Sequence, residues 1–210
     1  MMTESEVLDL LQKVGAFSTG HFVLTSGRHA DSYLNKDALY PYTHDTSHLC
    51  KAMAERFADK DIDVVVGPAI GAAIISQWVA YHLTDMRGEE VYGAYADKDG
   101  QGGFILRRGY DQIVKGKRIL IVEDLTTTGG SIKKVVETAR GAGGNVVGAI
   151  VIVNRGGVTK AQVGSPKEFQ SLVNLHLESW EESECELCKK GIPVNIDIGH
   201  GRDFMARNKA

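Results

Sequence analysis

Apolar strands that alternate with helical segments constrain the fold of this chain most strongly. Residues 62–68 (IDVVVGP), 117–124 (KRILIVED) and 145–155 (NVVGAIVIVNR) contain long apolar runs, as strands buried on both faces do. Residues 71–83 and 131–144 have the apolar spacing of helices. Strands that alternate with helices of about a dozen residues predict a parallel sheet with helices on both faces.

The two ends of the chain are expected to add to this core. Residues 3–14 place apolar side chains at helical spacing, and Thr3 is a suitable N-cap. Residues 20–35 alternate short apolar runs with turn residues, which predicts two short strands. From Ser165 onward the character changes, with one more strand predicted at 171–178 and a polar tail. One compact domain with a small additional lobe is therefore expected.

Composition and charge exclude several classes of function. The net charge is −3 over 210 residues, and basic residues are interleaved with acidic ones, so no nucleic-acid partner is predicted. The chain has no apolar run of about 18 residues that would span a membrane, and its acidic start is unlike a signal peptide. The 3 cysteines cannot all pair, which favours reduced thiols. We therefore expect a cytoplasmic protein without a membrane partner.

Residues 121–131, IVEDLTTTGGS, are the strongest indication of function. An apolar strand delivers Glu123 and Asp124, and a loop of hydroxyls and glycines follows at the start of a helix. Small residues let backbone N–H groups converge on a phosphate, assisted by the helix dipole. Carboxylates at the carboxyl end of a parallel strand suit ribose hydroxyls or a magnesium ion. The ordered combination disfavours a plain strand–turn–helix connection, and the missing lysine excludes a Walker-type loop.

The segment 119–131, ILIVEDLTTTGGS, resembles the signature with which type I phosphoribosyltransferases bind phosphoribosyl diphosphate (PRPP). Further segments resemble the orotate phosphoribosyltransferases and occur in family order. They are FVLTSGRHADSYLN (22–35), VVVGPAIGAAI (64–74), LRRGY with VKGKRILIVED (106–124), IVIVNRGG (150–157) and CELCKKGIP (185–193). Together they cover most of the chain.

This resemblance implies a fold and an activity. The fold would be α/β, with a mostly parallel central sheet flanked by helices, in a single domain of residues 1–210. Its core would span about 43–165, with a small hood formed by 1–42 and 166–210. The implied activity is transfer of 5-phosphoribose from PRPP to orotate, which gives orotidine 5′-phosphate and pyrophosphate in de novo UMP synthesis. The implied cofactor is Mg²⁺, held mainly through PRPP and near Asp124.

The resemblance also assigns roles to individual residues. The residues expected to bind PRPP are Lys98, Glu123, Asp124, Leu125, Thr126, Thr127, Thr128, Gly129, Gly130 and Ser131. Residues 128–131 would hold the 5′-phosphate, and the two carboxylates would bind the ribose hydroxyls. Thr127 would lie near the base, and Arg155 would pair with the orotate carboxylate, a task for a bidentate donor. Tyr33 and Leu34 match positions that pack on the pyrimidine ring.

Residues 97–104, DKDGQGGF, match the mobile loop of this family, which reaches across a dimer into the partner's site. Lys98 matches the basic position that neutralises the pyrophosphate, and with Asp124 it is the expected catalytic pair. Arg107 and Arg108 are further candidates for the diphosphate. A glycine-rich, charged segment suits a lid. The resemblance therefore implies a homodimer in which the loop around Lys98 acts in trans.

The chain departs from the family pattern at several positions. Only Lys98 is matched among the basic residues of the loop, which is shorter than in the best-known members. Ile70 and Gly71 replace a tyrosine and a lysine, and Thr25 replaces a lysine. Asn154 replaces the aspartate that usually precedes Arg155. The lost lysines reduce the positive charge available to the diphosphate.

Two other functions remain open at this point. The PRPP loop is shared by enzymes for several bases, and only Arg155 and the N-terminal segment indicate orotate. A PRPP-sensing regulator that binds nucleic acid is the other alternative. The missing lysines favour it, and the lack of a basic stripe or an aromatic platform disfavours it.

The C-x-x-C of Cys185 and Cys188 favours a turn with two reduced thiols, and a zinc site is the less favoured alternative. A structural zinc site needs four ligands, and only His176 and His200 lie nearby in the sequence. The remaining histidines show no metal-binding spacing. They are assigned to the surface or the core, and include His21 and His29.

Overall fold

A six-stranded sheet forms the centre of the computed structural model, which describes residues 1–24 and 26–207. Its strands, in spatial order, are β5 (Phe104–Ile105), β4 (Tyr92–Lys98), β3 (Val64–Pro68), β6 (Arg118–Thr126), β7 (Asn145–Asn154) and β8 (Glu168–Asn174). All neighbours pair in parallel except β4 and β5, which form an antiparallel hairpin. The expected α/β fold with a mostly parallel sheet is confirmed.

Helices cover both faces of this sheet. They are α1 (Glu4–Lys13), α2 (Thr43–Glu55), α3 (Gly71–Arg87), α4 (Tyr110–Val114) and α5 (Gly130–Gly141). Alternate residues of a strand face opposite ways, so Val65 and Leu120 pack in the cluster that contains α1, α2 and α3. Val64 and Ile121 pack in the other cluster, beneath α5. The central strands are therefore buried on both faces, as their apolar runs predict.

A second, three-stranded antiparallel sheet forms the hood. It joins β1 (Phe17–Val23), β2 (His29–Leu34) and β9 (Ser179–Trp180). The C-terminal segment contributes α6 (Glu186–Lys189) and α7 (Gly201–Arg207), and two of its backbone N–H groups bond to β1: Asn195 to the carbonyl of His21 at 2.7 Å and His200 to that of Val23 at 2.9 Å. The two ends of the chain thus meet in one lobe.

Two details differ from the expected boundaries. The strand expected at 171–178 spans Glu168–Asn174 and is the edge strand of the central sheet, so the core extends beyond residue 165. The N-terminal helix also packs in the main core through Val7, Leu10 and Leu11, because its apolar face covers the sheet near β8. Its N-cap is Thr3, as predicted, in a capping box with Glu6.

None of the helices in the described residues is both long and apolar enough to cross a bilayer.

Candidate active site

The loop between β6 and α5 forms an anion-binding site at the carboxyl edge of the sheet. Gly129 adopts a left-handed conformation with φ 81°, and its N–H bonds to Thr126 Oγ1 at 3.1 Å. This turn brings the first N–H groups of α5, which have no partner within the helix, towards one point. Thr127, Thr128 and Ser131 are exposed there. A phosphate fits such an array of backbone donors.

The predicted PRPP residues come together around one cavity of about 250 Å³. It is lined by Lys36, Glu123, Asp124, Leu125, Thr126, Thr127, Thr128, Gly129, Gly130, Ser131 and Ile132. All the predicted PRPP residues except Lys98 are in this set. Their convergence follows from the strand–loop–helix geometry, because a contiguous segment wraps around the end of β6.

The two carboxylates at the end of β6 are buried and lie in different surroundings. The exposed fraction is 7% for Glu123 and 4% for Asp124. Adjacent strand residues face opposite sides of the sheet, so Asp124 shares the side of α3 and Glu123 that of α5. Burial, and then the nearby charge of Asp124, raise the pKa of Glu123 above its ordinary value. Glu123 is therefore suited to be a hydrogen-bond donor as well as an acceptor.

Asp124 is held by two residues that sequence reasoning missed. Lys36 Nζ lies 3.0 Å from Asp124 Oδ2, and the Tyr40 hydroxyl donates to the same oxygen. Burial lowers the pKa of Lys36, but the charge of Asp124 and its hydrogen bond outweigh this and raise it overall. Burial and Asp124 also raise the pKa of Tyr40, so both donors keep their protons. No local motif marks these residues, since each lies more than eighty positions from Asp124.

Gly71, at the start of α3, makes room for this cluster. A Cβ on Gly71 would lie 2.2 Å from the Tyr40 hydroxyl and 2.7 Å from Asp124 Oδ2. Any side chain here would displace one of the two groups. The glycine that replaces the family's lysine is therefore required by the packing of Tyr40 and Asp124.

Arg155 follows β7 directly beside the phosphate loop. Thr126 and Asn154 are paired across β6 and β7, and the N–H of Arg155 bonds to the carbonyl of Thr126 at 2.8 Å. A Cβ on Gly156 would lie 2.0 Å from the carbonyl oxygen of Thr127, so only glycine fits. The half-buried Arg155 side chain therefore starts within one strand spacing of the loop.

Comparisons with known proteins show the family of this chain. The family model described as "Phosphoribosyl transferase domain" matches residues 43–185. An orotate phosphoribosyltransferase of Caldanaerobacter subterraneus subsp. tengcongensis is 39% identical over 193 residues, which is 92% of this chain and 96% of that protein. One of Thermus thermophilus is 36% identical, over 90% of this chain and 98% of that protein. This chain belongs to the orotate phosphoribosyltransferase family.

Solved structures agree with the family assignment. Orotate phosphoribosyltransferase of Mycobacterium tuberculosis H37Rv, in complex with Fe(III) dicitrate, has a TM-score of 0.67 at 26% identity. The match covers 82% of this chain and 96% of that one. A phosphoribosyltransferase from Corynebacterium diphtheriae has a TM-score of 0.65 at 27% identity, over 83% of this chain and 96% of that one.

Of the two residues expected to pack on the orotate ring, Leu34 shares a cavity with Asp124. It lines a small cavity together with Lys36, Asp124 and Leu125. Tyr33 faces the other side of β2 and packs its ring on Phe22, with centroids 5.6 Å apart. The role of Tyr33 in an orotate phosphoribosyltransferase site stays a prediction.

The loop of Lys98 is an ordered hairpin in this family member. Lys98 ends β4 and pairs with Phe104 of β5, and Asp99 fixes the turn by accepting from the N–H groups of Gln101 at 2.7 Å and Gly103 at 2.8 Å. The hairpin packs on α5 of its own chain, where Thr138 Oγ1 donates to the carbonyl of Phe104 at 3.1 Å. Lys98 is exposed and is not among the residues that line the phosphate cavity.

The remaining departures from the family pattern have different structural settings. Asn154 closes the loop after β7: its amide donates to the carbonyl of Val158 at 3.0 Å and accepts from the Val158 N–H at 2.9 Å. An aspartate could not donate the first of these bonds. Ile70 follows a cis peptide bond and is 83% exposed. Arg108, a candidate for the diphosphate, forms an ion pair with Asp97. Thr25 lies outside the described residues.

Proposed function

We propose that this protein is an orotate phosphoribosyltransferase that transfers 5-phosphoribose from PRPP to N1 of orotate in de novo pyrimidine synthesis. One observation carries the proposal: the phosphate cavity at the end of β6 lies directly beside Arg155 at the end of β7. The first element suits PRPP, and the second suits a flat substrate with a carboxylate. Named relatives with the same activity support the choice of orotate.

The reaction needs positioning more than covalent chemistry from the protein. The C1–O bond of PRPP breaks with its electron pair leaving on the diphosphate, and N1 of orotate forms the new C–N bond as its proton is released. Residues 128–131 hold the 5′-phosphate, while Glu123 and Asp124 bind the ribose hydroxyls. Lys36 and Tyr40 fix the Asp124 carboxylate, so its negative charge is in place as positive charge develops on the ribose.

Mg²⁺ is part of this proposal. Among the residues that line the phosphate cavity, two are carboxylates and only Lys36 is cationic. One lysine beside two carboxylates leaves the negative charge of a diphosphate uncompensated. Mg²⁺ can supply the missing positive charge, because it binds phosphate and carboxylate oxygens. Asp124, together with PRPP, would hold the ion, which would supply the positive charge that a leaving diphosphate needs.

A homodimer with Lys98 acting in trans is also part of this proposal. Lys98 lies two strands away from β6, a lateral separation of about 10 Å, and its hairpin is held on α5. We therefore assign Lys98 to the active site of a partner chain. An apolar face of α3 is available for the contact, with Ile74 and Tyr81 exposed and Ile70 at its start. A cytoplasmic location stays a prediction.

The decisive assay follows orotate absorbance in a mixture of the pure protein, orotate, PRPP and Mg²⁺. We expect a loss of absorbance that EDTA abolishes and that needs PRPP. Uracil, adenine and hypoxanthine serve as competing acceptors. Transfer to one of these bases instead of orotate would contradict the orotate assignment. Salt-sensitive binding of nucleic acid without transfer to any base would indicate a PRPP-sensing regulator.

A further inference from the structure

Four potential metal ligands from two distant parts of the chain meet in the hood. His21 lies in β1 and His29 in β2, while Cys185 immediately precedes α6 and Cys188 lies within it. Their ligand atoms all lie within 4.8 Å of one another. Cys185 and His21 are 164 positions apart, so the set is invisible to any local motif. Both histidines are buried, in agreement with the core alternative of the sequence-based assignment, but their convergence with the two cysteines was not predicted.

The spacing of the ligand atoms matches a tetrahedral ion. Cys185 Sγ lies 3.6 Å from His21 Nε2, and Cys188 Sγ lies 3.3 Å from His29 Nδ1. A tetrahedron with ordinary zinc bond lengths has N–S edges of about 3.6 Å. The two imidazole nitrogens are 2.8 Å apart, against about 3.3 Å in that tetrahedron. These pairs therefore lie within about half an ångström of the tetrahedron, and all six pairs of ligand atoms lie within 4.8 Å.

His21 Nδ1, the ring nitrogen outside the cluster, makes the kind of hydrogen bond that metal-binding histidines usually make. His21 Nδ1 lies 2.7 Å from the carbonyl of Ile192, which accepts a bond only if Nδ1 carries the proton. The lone pair of Nε2 therefore faces the cluster. Such an outer contact orients a ligating imidazole and fixes its tautomer. His29 is packed edge-to-face on Phe204, with centroids 4.8 Å apart.

Three of the four ligand side chains are buried. The exposed fraction is 2% for His21 and 0% for both His29 and Cys185. His29 Nε2 is buried, and within the described residues it has no hydrogen-bond partner. An ion on Nδ1 would move the proton of His29 to Nε2, so this nitrogen lacks a partner with or without the ion. The ion is therefore favoured by the convergence of four ligand atoms in a largely buried place.

We propose that His21, His29, Cys185 and Cys188 bind one Zn²⁺ that closes the hood. Two thiolates and two imidazoles are a ligand set that selects zinc, and four protein ligands leave no open position for catalysis. The partly exposed Cys188 gives the ion a route into the site.

The role of the ion follows from the small size of the elements that it joins. β9 has 2 residues and α6 has 4, and α6 buries none of its own side chains. Such short elements have little apolar surface with which to dock, and a metal supplies the missing free energy. His29 begins β2, the strand that leads to Lys36. The other end of β2, at Leu34, lies about 16 Å from His29. The ion therefore supports the active site from a distance.

The first test is the metal content of the full-length protein, purified without chelators and measured by plasma mass spectrometry. We expect one Zn²⁺ per chain. Cys188→Ser and His29→Gln should each lower zinc affinity by more than the roughly 10–100-fold that loss of an outer contact costs. Cys50→Ala and His44→Ala are matched controls that should retain the metal, since neither residue belongs to the cluster.

A second measurement does not depend on whether the variants fold. Replacement of the ion by Co²⁺ in the unaltered protein should give the visible bands of a tetrahedral site, with charge transfer from thiolate. Zinc contents well below one per chain, with no such bands after exposure to Co²⁺, would overturn the proposal. A disulfide between Cys185 and Cys188 in protein kept from air, or full zinc retention in Cys188→Ser, would also overturn it.

Discussion

At the scale of single residues, the Asp124 carboxylate is the group on which the site depends most. Lys36 and Tyr40 both donate to one of its oxygens, so its position is fixed before substrate binds. Asp124→Asn keeps the shape but removes the charge that balances the developing positive ribose. We expect kcat/KM to fall by about 100-fold or more, as for other lost electrostatic contacts. Activity within a few-fold of the unaltered protein would refute this role.

Arg155 should act on orotate and not on PRPP. Arg155→Lys keeps the charge but loses the planar fork that binds a carboxylate through two bonds. The lost charge-assisted bond corresponds to a rise in KM for orotate of about 10–100-fold. Initial rates with each substrate varied in turn measure this. The KM for PRPP is the internal control, and an equal rise in both constants would contradict the assignment.

The sequence identifies the residues of a contiguous motif but not those that join it in space. Residues 121–131 carry strand, carboxylates and phosphate loop in one segment, so they could be predicted together. Lys36 and Tyr40 could not, because their contact with Asp124 depends on how the hood meets the sheet. The same holds for His21 and Cys185, whose contact depends on two distant segments.

At the scale of elements, the turn between β6 and α5 requires glycine at one position. Gly129 has φ 81°, and a Cβ there would lie 2.8 Å from the carbonyl oxygen of Gln162. Gly129→Ala should therefore distort the phosphate loop, with strain of about 1–2 kcal/mol from the left-handed conformation alone. We expect a higher KM for PRPP and a lower melting temperature. Gly141→Ala, also in α5 but with open space around it, should leave the KM for PRPP unchanged and should not lower the melting temperature.

The starts of β3 and β6 are joined by an ion pair that should make stability depend on acid pH. Asp63 accepts from Arg118 Nε at 2.9 Å, Nη2 at 2.8 Å and the backbone N–H at 2.7 Å. The hydrogen bonds from the Arg118 side chain, and then that from its backbone, lower the pKa of Asp63 from 3.8 to about 2, although burial opposes the shift. Because the folded pKa is depressed, this stabilisation is complete above pH 3.8 and is lost as the pH falls towards 2.

Asp63→Asn tests that pH dependence. At neutral pH the variant should be less stable by about 1–2 kcal/mol, the usual size for charge-assisted hydrogen bonds that are partly exposed. The difference from the unaltered protein should shrink as the pH is lowered from 4 to 2. Urea unfolding at several pH values measures it. A difference that stays constant over this range would show that the charge of Asp63 has no part in the effect.

The strands and helices that were predicted correctly are those with a clear apolar pattern in their own sequence. The runs of Val64–Val66 and Ile119–Val122 are buried on both faces, and the helices that follow have one apolar side. The strand after residue 165 was displaced by a few residues because Glu168–Asn174 is an edge strand with a weaker pattern. Its place in the central sheet is decided by pairing with β7, which its own sequence does not encode.

At the scale of the whole molecule, the role proposed for Lys98 would link the activity of one chain to a second copy. Lys98 is exposed at the end of β4, and its own phosphate cavity lies on the other side of β3. A two-fold dimer places the same surface of each chain against the other, so a loop that leaves one chain can enter the partner's site. Sedimentation should therefore give the mass of a dimer.

Subunit mixing tests whether Lys98 acts in trans. Lys98→Ala and Arg155→Ala should each have little activity as homodimers. After subunit exchange, a mixed dimer has one site with both defects and one site with neither. Mixed dimers form half of a random population, so about a quarter of the original activity should return. If subunits exchange and no activity returns, Lys98 acts within its own chain, because each site of the mixed dimer would then keep one defect.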